Sequence, residues 1–396
     1  MGAIGQGPSA ISASRARLDL LRSYCAERGI GVFSVRSTSD IAWLTAFEGV
    51  FDDERAHVLV VGRDAALLHT DSRYGLAARN AAAACGDAVQ VSEERISHAR
   101  SVARLLAGQL DACPKAPNGA DDSSSVSAAL GIEDDLPLNE YRALVRELED
   151  AVLHARIVET HDAVVSLRAV KDEGELARLR AAQAVTDAAF DHIVGFMRPG
   201  MAEREVQIEL EDFMVRNGAE GLAFSSIVAC GANGASAHAI PGPTRLESGQ
   251  CVVLDFGARA QGYCSDMTRM VFLGEPDTEL RRAYEVLRRA NEGVEAALRP
   301  GMTGKEAHEL AERILAEGGF AGRMGHGLGH GVGIDIHELP ILSPRNERPL
   351  AAGNVVTVEP GIYLPGRFGM RLEDCGVITD EGYKVFGRST HDMVII

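Results

Sequence analysis

The chain contains no two cysteines spaced as CxxC. Its seven cysteines are scattered and odd in number, so they form neither a disulfide framework nor a thiolate-type zinc site. A reducing compartment follows from that usage, and a cytoplasmic location is expected. No apolar run approaches the length of roughly 20 residues that a membrane-spanning helix needs, so no span is expected. Met1 to Ala10 lacks a basic segment followed by an apolar one, so no signal peptide is expected. Basic residues are in the minority: 40 Lys and Arg face 57 Asp and Glu, a net charge of -17. A nucleic-acid partner would need a basic stripe and is not expected.

Several catalytic signatures are missing as well. His337-Glu338 continues as Leu339-Pro340-Ile341, which is not HExxH. Gly304-Lys305 runs on into Glu306, so there is no phosphate-binding loop of the Walker type. Neither GxGxxG nor GxSxG occurs. These absences exclude the zincin, P-loop, dinucleotide-binding and serine-hydrolase signatures.

What is present describes an ordinary globular protein, with 46% apolar and 24% charged residues. A length of 396 residues points to two domains. In the first, an amphipathic helix is predicted over 12–28, ended by Gly29. Strands are predicted at Val32 to Val35, Ala56 to Val61 and Ala66 to Thr70, and helices at Arg73 to Cys85 and His98 to Leu110. That alternation reads as an α/β domain. Pro114 to Ser127 reads as a loop, and helix is expected from Asn139 to about Val165. The boundary is placed near Ala169, giving domains 1–168 and 169–396.

The second half repeats itself. Met197-Arg198-Pro199-Gly200-Met201 and Leu298-Arg299-Pro300-Gly301-Met302 each open a helical stretch, which stops at Asn217-Gly218 and Gly318-Gly319. Val252 to Gly257 resembles Val356 to Gly361. A carboxylate follows the repeat's proline at nearly equal spacing, from Pro199 to Asp255 and from Pro300 to Glu359. A second acid comes soon after each, Asp266 after Asp255 and Glu373 after Glu359. Two related halves about a pseudo-two-fold would each offer a carboxylate pair to a shared centre.

Between those pairs lies the most unusual stretch, Gly325 to Pro340, with three histidines and five glycines. Each interior glycine costs a helix about 1 kcal/mol relative to alanine. An extended strand fits better and would place His326, Leu328 and His330 on one face. The opposite, glycine-only face would admit a close backbone or ligand. His326 and His330 would be roughly 13 Å apart along a strand, so His330 is read as a ligand and His326 as its neighbour.

Asp255 and Glu359 end apolar β-type runs, where a lone carboxylate is costly. Asp255, Asp266, Glu359 and Glu373 carry a charge of -4 together. Two divalent ions balance it, or one ion with arginines such as Arg269 and Arg371. Oxygen ligands with one imidazole suit manganese, cobalt, iron or zinc. A two-metal centre with ions about 3.5–4 Å apart means hydrolysis. Glu359 is placed to act as base, and His238 or His337 to supply a donor to the intermediate.

These residues, with His-Gly-Leu-Gly-His-Gly-Val-Gly-Ile-Asp-Ile-His-Glu over 326–338 and Glu-Pro-Gly-Ile-Tyr over 359–363, closely resemble the pita-bread metallopeptidases. Arg17 to Tyr74 resembles the creatinase-type N-terminal domain of the Xaa-Pro members, which methionine aminopeptidases lack. The resemblance implies an α/β creatinase-type domain followed by an α+β pita-bread catalytic domain. It implies two divalent metals, manganese foremost, held by Asp255, Asp266, His330, Glu359 and Glu373. Asp266 and Glu373 would bridge them, and Glu359 would double as base. His238 and His337 would assist catalysis, while His326, His337, Arg371 and Tyr363 would bind substrate or support the centre. The expected substrates are small peptides with proline second, and the expected assembly is a homodimer. An intact ligand set argues against creatine chemistry and against a non-catalytic binding role. In dipeptidases of this kind an arginine often follows the His-Glu-x-Pro segment. Ile341 stands there, so an Xaa-Pro aminopeptidase is expected, with Xaa-Pro dipeptidase as the alternative.

Overall fold

The structure, a computed structural model, describes residues 10–52, 54–86, 88–111 and 129–396. The loop expected at Pro114 to Ser127 lies outside them, as does nearly all of Met1 to Ala10. Contacts divide the chain into two compact units, Met1–Leu167 and Arg168–Ile396. No helix among the described residues is long and apolar enough to cross a membrane.

The first unit is built on a six-stranded mixed sheet, in the order Gln90–Ser92, Ala66–His69, Val58–Gly62, Val32–Val35, Ala129–Glu133, Arg156–Thr160. Helices His98–Asp111 and Leu138–Asp150 cover it, burying Val102, Leu106, Leu144 and Leu148 against Val32, Val60, Leu130 and Ile132. The helix expected from Asn139 to Val165 is a correction. It stops at Asp150, and Arg156–Thr160 follows as an edge strand parallel to Ala129–Glu133. The left-handed residue after the helix is Val152, with φ 55°. β-Branched residues rarely adopt that conformation and no glycine marks the turn, so the sequence carries no stop signal there.

The second unit consists of two matched halves. In the first, helices Glu173–Phe196 and Glu203–Arg216 are followed by antiparallel strands Ile227–Cys230, Cys251–Phe256 and Met267–Phe272. In the second, helices Thr278–Ala297 and Gly304–Glu317 are followed by Gly329–Gly331, Val355–Val358 and Asp374–Thr379, again antiparallel. Each middle strand is separated from the third by a short hairpin: Ala258–Ala260 with Tyr263–Cys264, and Gly361–Leu364 with Phe368–Arg371. The Pro-Gly breaks are anchored alike. Gly200 N–H donates to Leu246 O and Leu246 N–H to Met201 O, while Gly301 N–H donates to Leu350 O and Leu350 N–H to Met302 O. The halves meet where Thr268 and Glu373 pair as a bridge. Leu280, Ala283, Leu287, Ala290 and Val294 recur at helical spacing and are all buried, the core stripe that helical periodicity predicts.

A buried ion cluster braces this unit behind the Gly-His segment. Glu338 accepts from both Arg168 and Lys171 (3.1 Å), and Arg168 also reaches Asp335 (3.0 Å). Burial alone would raise the Glu338 carboxyl, but the two cations outweigh it and hold it below its ordinary value. Glu338→Gln leaves two buried cations short of their counter-charge, so urea unfolding should show a loss of about 3–5 kcal/mol. Because the folded value is depressed, the wild-type advantage is complete above the unfolded value near 4.5. It should vanish as pH falls through the lower folded value.

Candidate active site

Local strand geometry sets the four carboxylates. Asp255 lies at the end of Cys251–Phe256, Asp266 just before Met267–Phe272, Glu359 just after Val355–Val358 and Glu373 just before Asp374–Thr379. The first and third are therefore related by the repeat, as are the second and fourth. His330 is the middle residue of the short strand Gly329–Gly331. The ligand atoms of Asp266, His330 and Glu373 all lie within 4.8 Å of one another. His330 Nε2 is 3.4 Å from both Asp266 and Glu359. Asp255 is turned instead to the guanidinium of Arg371, with which it forms an ion pair. Exposure is slight: 7% for Asp255, 4% for Asp266 and 2% for Glu373.

The strand expected across 326–330 is shorter than predicted, which corrects the single-face reading. Leu328 is fully buried in the core of the second half, whereas His326 and His330 line a pocket. The glycines do admit close backbone. A Cβ at Gly329 would lie 2.1 Å from Thr357 O, and one at Gly331 would lie 2.4 Å from Leu339 O. This is the physical use of the glycine face: a side chain there would push His330 away from its sheet.

The hydrogen bonds assign the imidazoles. His330 Nδ1 lies 3.0 Å from Gly331 O, which only a protonated nitrogen satisfies, so Nε2 carries the lone pair that faces the acids. Burial, foremost, holds the His330 ring near pKa 4, neutral at pH 7. His326 is fixed the same way, with Nδ1 against Gly327 O (2.7 Å) and Nε2 taking the Tyr363 hydroxyl (3.0 Å). Arg371 donates to Tyr363 (2.7 Å), to Thr268 Oγ1 (3.1 Å) and to Ala237 O (3.2 Å). The His337 ring packs edge-on against His330, with centroids 4.4 Å apart. His238 is exposed on the loop after the turn Gly231–Ala235 and lines the same pocket.

That pocket encloses about 540 Å³ and is lined by all four carboxylates, His238, His326, His330, His337 and Arg371. Arg345 and Arg367, the arginines near the motif, are not in its lining. Arg367 is spent on an exposed ion pair with Glu279.

Sequence reasoning missed the residues that hold this set in place. Thr268 gives its hydroxyl to Glu373 (2.6 Å), and Thr357 bonds Glu359 (3.3 Å) and the His330 N–H (3.1 Å). A threonine that interrupts an apolar run was the available signal, since a buried hydroxyl needs a partner. Glu203 was also missed. Fully buried, it accepts from Cys230 N–H (2.8 Å), Asn233 (2.9 Å) and Gly242 N–H (3.2 Å), and so pins the loop that carries His238.

The acids fit a cation. Asp266 Oδ1 is buried without a partner among the described residues. Burial and mutual repulsion push the Asp266 and Glu373 carboxyls well up and Glu359 up to about 8. Arg371 leaves a deficit of three charges, which one divalent ion undershoots and two exceed by one. A cluster of acceptor oxygens with one neutral imidazole is a hard-cation site of hydrolytic type.

Comparison with known proteins agrees with that class. The model of Metallopeptidase family M24 matches residues 177–380, and that of the Creatinase/Prolidase N-terminal domain matches 17–170. The chain belongs to metallopeptidase family M24. It has the two-part fold of that family's creatinase branch, with a pita-bread catalytic domain. It is 34% identical over 381 residues to a Bacillus subtilis protein described as an uncharacterised peptidase, covering 96% of this chain and 100% of the relative. An Xaa-Pro dipeptidase structure from Bacillus anthracis superposes with a TM-score of 0.85 at 33% identity, over 97% of this chain and 100% of that one. An X-Pro aminopeptidase structure from Thermotoga maritima gives 0.79 at 30%, over 94% and 99%.

Proposed function

We propose that this chain is a two-metal exopeptidase that hydrolyses the Xaa-Pro bond of short peptides, and that it works as an Xaa-Pro dipeptidase. The observation that carries the peptidase reading is the convergence of Asp266, His330 and Glu373 at a pocket also lined by Asp255, Glu359 and His238. The dipeptidase reading replaces the aminopeptidase expected from sequence. It is supported by the full-length likeness to the dipeptidase from Bacillus anthracis. Ile341 gives no ground for the aminopeptidase, because it is 38% exposed and outside the pocket lining.

Asp255, Asp266, His330, Glu359 and Glu373 would hold the ions, manganese foremost. Bound divalent ions supply Lewis acidity towards the scissile carbonyl and lower the pKa of water. Glu359 accepts the proton of the attacking water. His238, on its pinned loop, donates towards the developing charge or the proline nitrogen. The chain Arg371–Tyr363–His326 orients Asp255 and one wall of the pocket.

Protein stripped with chelator should lose turnover of Xaa-Pro peptides and regain it with added manganese. The wild type should prefer Xaa-Pro to Xaa-Pro-Yaa in kcat/KM. Full turnover in chelator would sink the metallopeptidase mechanism; a preference for the longer peptide would restore the aminopeptidase.

A further inference from the structure

Four carboxylates crowd this pocket, so a substrate that brings a fifth meets repulsion unless a cation receives it. A dipeptide cannot avoid doing so, because its C-terminal carboxylate sits on the proline itself. Two arginines line the pocket, Arg204 and Arg371. Arg371 is fully engaged, with Asp255, Tyr363, Thr268 and Ala237 around its guanidinium. Its position beside Asp255 commits it to the acid cluster.

Arg204 is different. It is the second residue of helix Glu203–Arg216, and its backbone N–H is fixed on Gly242 O at 3.1 Å. Its side chain is exposed, and among the described residues it has no ion pair or hydrogen bond. The neighbouring Glu203 anchors the His238 loop, so Arg204 rises from the same rigid base as that histidine. Gln207, the next pocket residue along the helix, cannot take the role. It carries no charge to offset a carboxylate, and its Nε2 already donates to Glu211 at 2.9 Å. His326 is likewise occupied at both nitrogens. In a chain with 57 acids and 40 bases, a guanidinium left open at the rim of an acidic pocket is available for an anion.

We propose that Arg204 receives the C-terminal carboxylate of the substrate and thereby sets the selection for dipeptides. The planar fork pairs with a carboxylate through two parallel bonds. It also offsets the repulsion of the acids beneath. The inference rests on the Xaa-Pro peptidase reading and adds to it a specificity-determining residue outside the Gly-His motif.

The test compares Ala-Pro, Ala-Pro-amide and Ala-Pro-Ala on the metal-loaded whole chain, for wild type, Arg204→Met and Arg204→Lys. The amide removes the charge from the substrate, and the methionine removes it from the protein. The ratio of kcat/KM for Ala-Pro over Ala-Pro-amide should fall roughly 10- to 100-fold in Arg204→Met, the worth of a hydrogen-bonded charge pair. It should be partly retained in Arg204→Lys, with the loss in KM more than in kcat. Metal content should match the wild type. An unchanged ratio in Arg204→Met overturns the proposal, as does a wild type that cleaves Ala-Pro-Ala and leaves Ala-Pro intact. A wild type that cleaves none of the three defeats the peptidase reading and takes the proposal with it.

Discussion

Asp266→Ala should lose roughly 10³-fold or more in kcat/KM while the metal-free fold stays at least as stable as metal-free wild type. The two halves of that result have one cause. Asp266 is buried with an oxygen that lacks any partner among the described residues, and burial with the nearby charges of Asp255 and Glu359 raises its carboxyl. Glu373 is raised by burial and then by Asp266. Without cations Asp266 is a source of repulsion, so deleting it relieves the apo protein. In the proposed centre it would be one of the residues that hold the ions, so deleting it would open the centre. Metal analysis should show a lower occupancy, and a thermal melt in chelator should show no fall in Tm. A variant that keeps its turnover would mean that the acids are structural. A variant that melts lower in chelator would mean that Asp266 stabilises the fold by a contact the geometry does not show.

His238→Ala should lower kcat by roughly 10²–10³-fold with metal content unchanged. His238 lies outside the Asp266, His330 and Glu373 triplet, on an exposed loop whose backbone is tied down by Glu203 and Arg371. The role proposed for this exposed imidazole is to donate to substrate, not to hold metal. The loop should survive the substitution, because the bonds from Glu203 and Arg371 that anchor it do not involve the His238 ring. The measurement is kcat together with bound metal per chain. Loss of metal in this variant would make His238 a ligand and require His330 to be reassigned.

How far the sequence could be read differs from element to element. The helices that open at Pro199-Gly200 and Pro300-Gly301 were legible because proline and glycine break the chain at fixed places and the helical apolar period then resumes. The edge strand Arg156–Thr160 was not, because its exposed arginine and glutamate hide the alternation and Val152 takes a turn that glycine would have announced. The Gly325 to Gly333 stretch was legible as extended and closely approached. Its division between core at Leu328 and pocket at His326 and His330 was not, because one short strand makes way for loops at both ends.

The sequence by itself determined the charge that the centre must offset. Four acids in repeated order with one histidine between them state a charge that only cations can offset, whatever the path of the chain. It also determined the internal repeat, since the same breaks and the same strand acids recur at nearly equal spacing. Only the tertiary structure decided which groups surround that centre. Thr268 and Thr357 matter because strand pairing brings them beside Glu373 and the His330 N–H, and register is a property of paired strands. Glu203 matters because a helix start and the distant loop at Asn233 fold onto the same carboxylate. The choice between Ile341 and Arg204 at the pocket was likewise spatial. Ile341 is near the motif in sequence yet outside the pocket, whereas Arg204 belongs to the other half of the repeat yet lines the same pocket as His337. Chain distance carries no information about such neighbours, because side chains meet through packing and not through adjacency along the backbone.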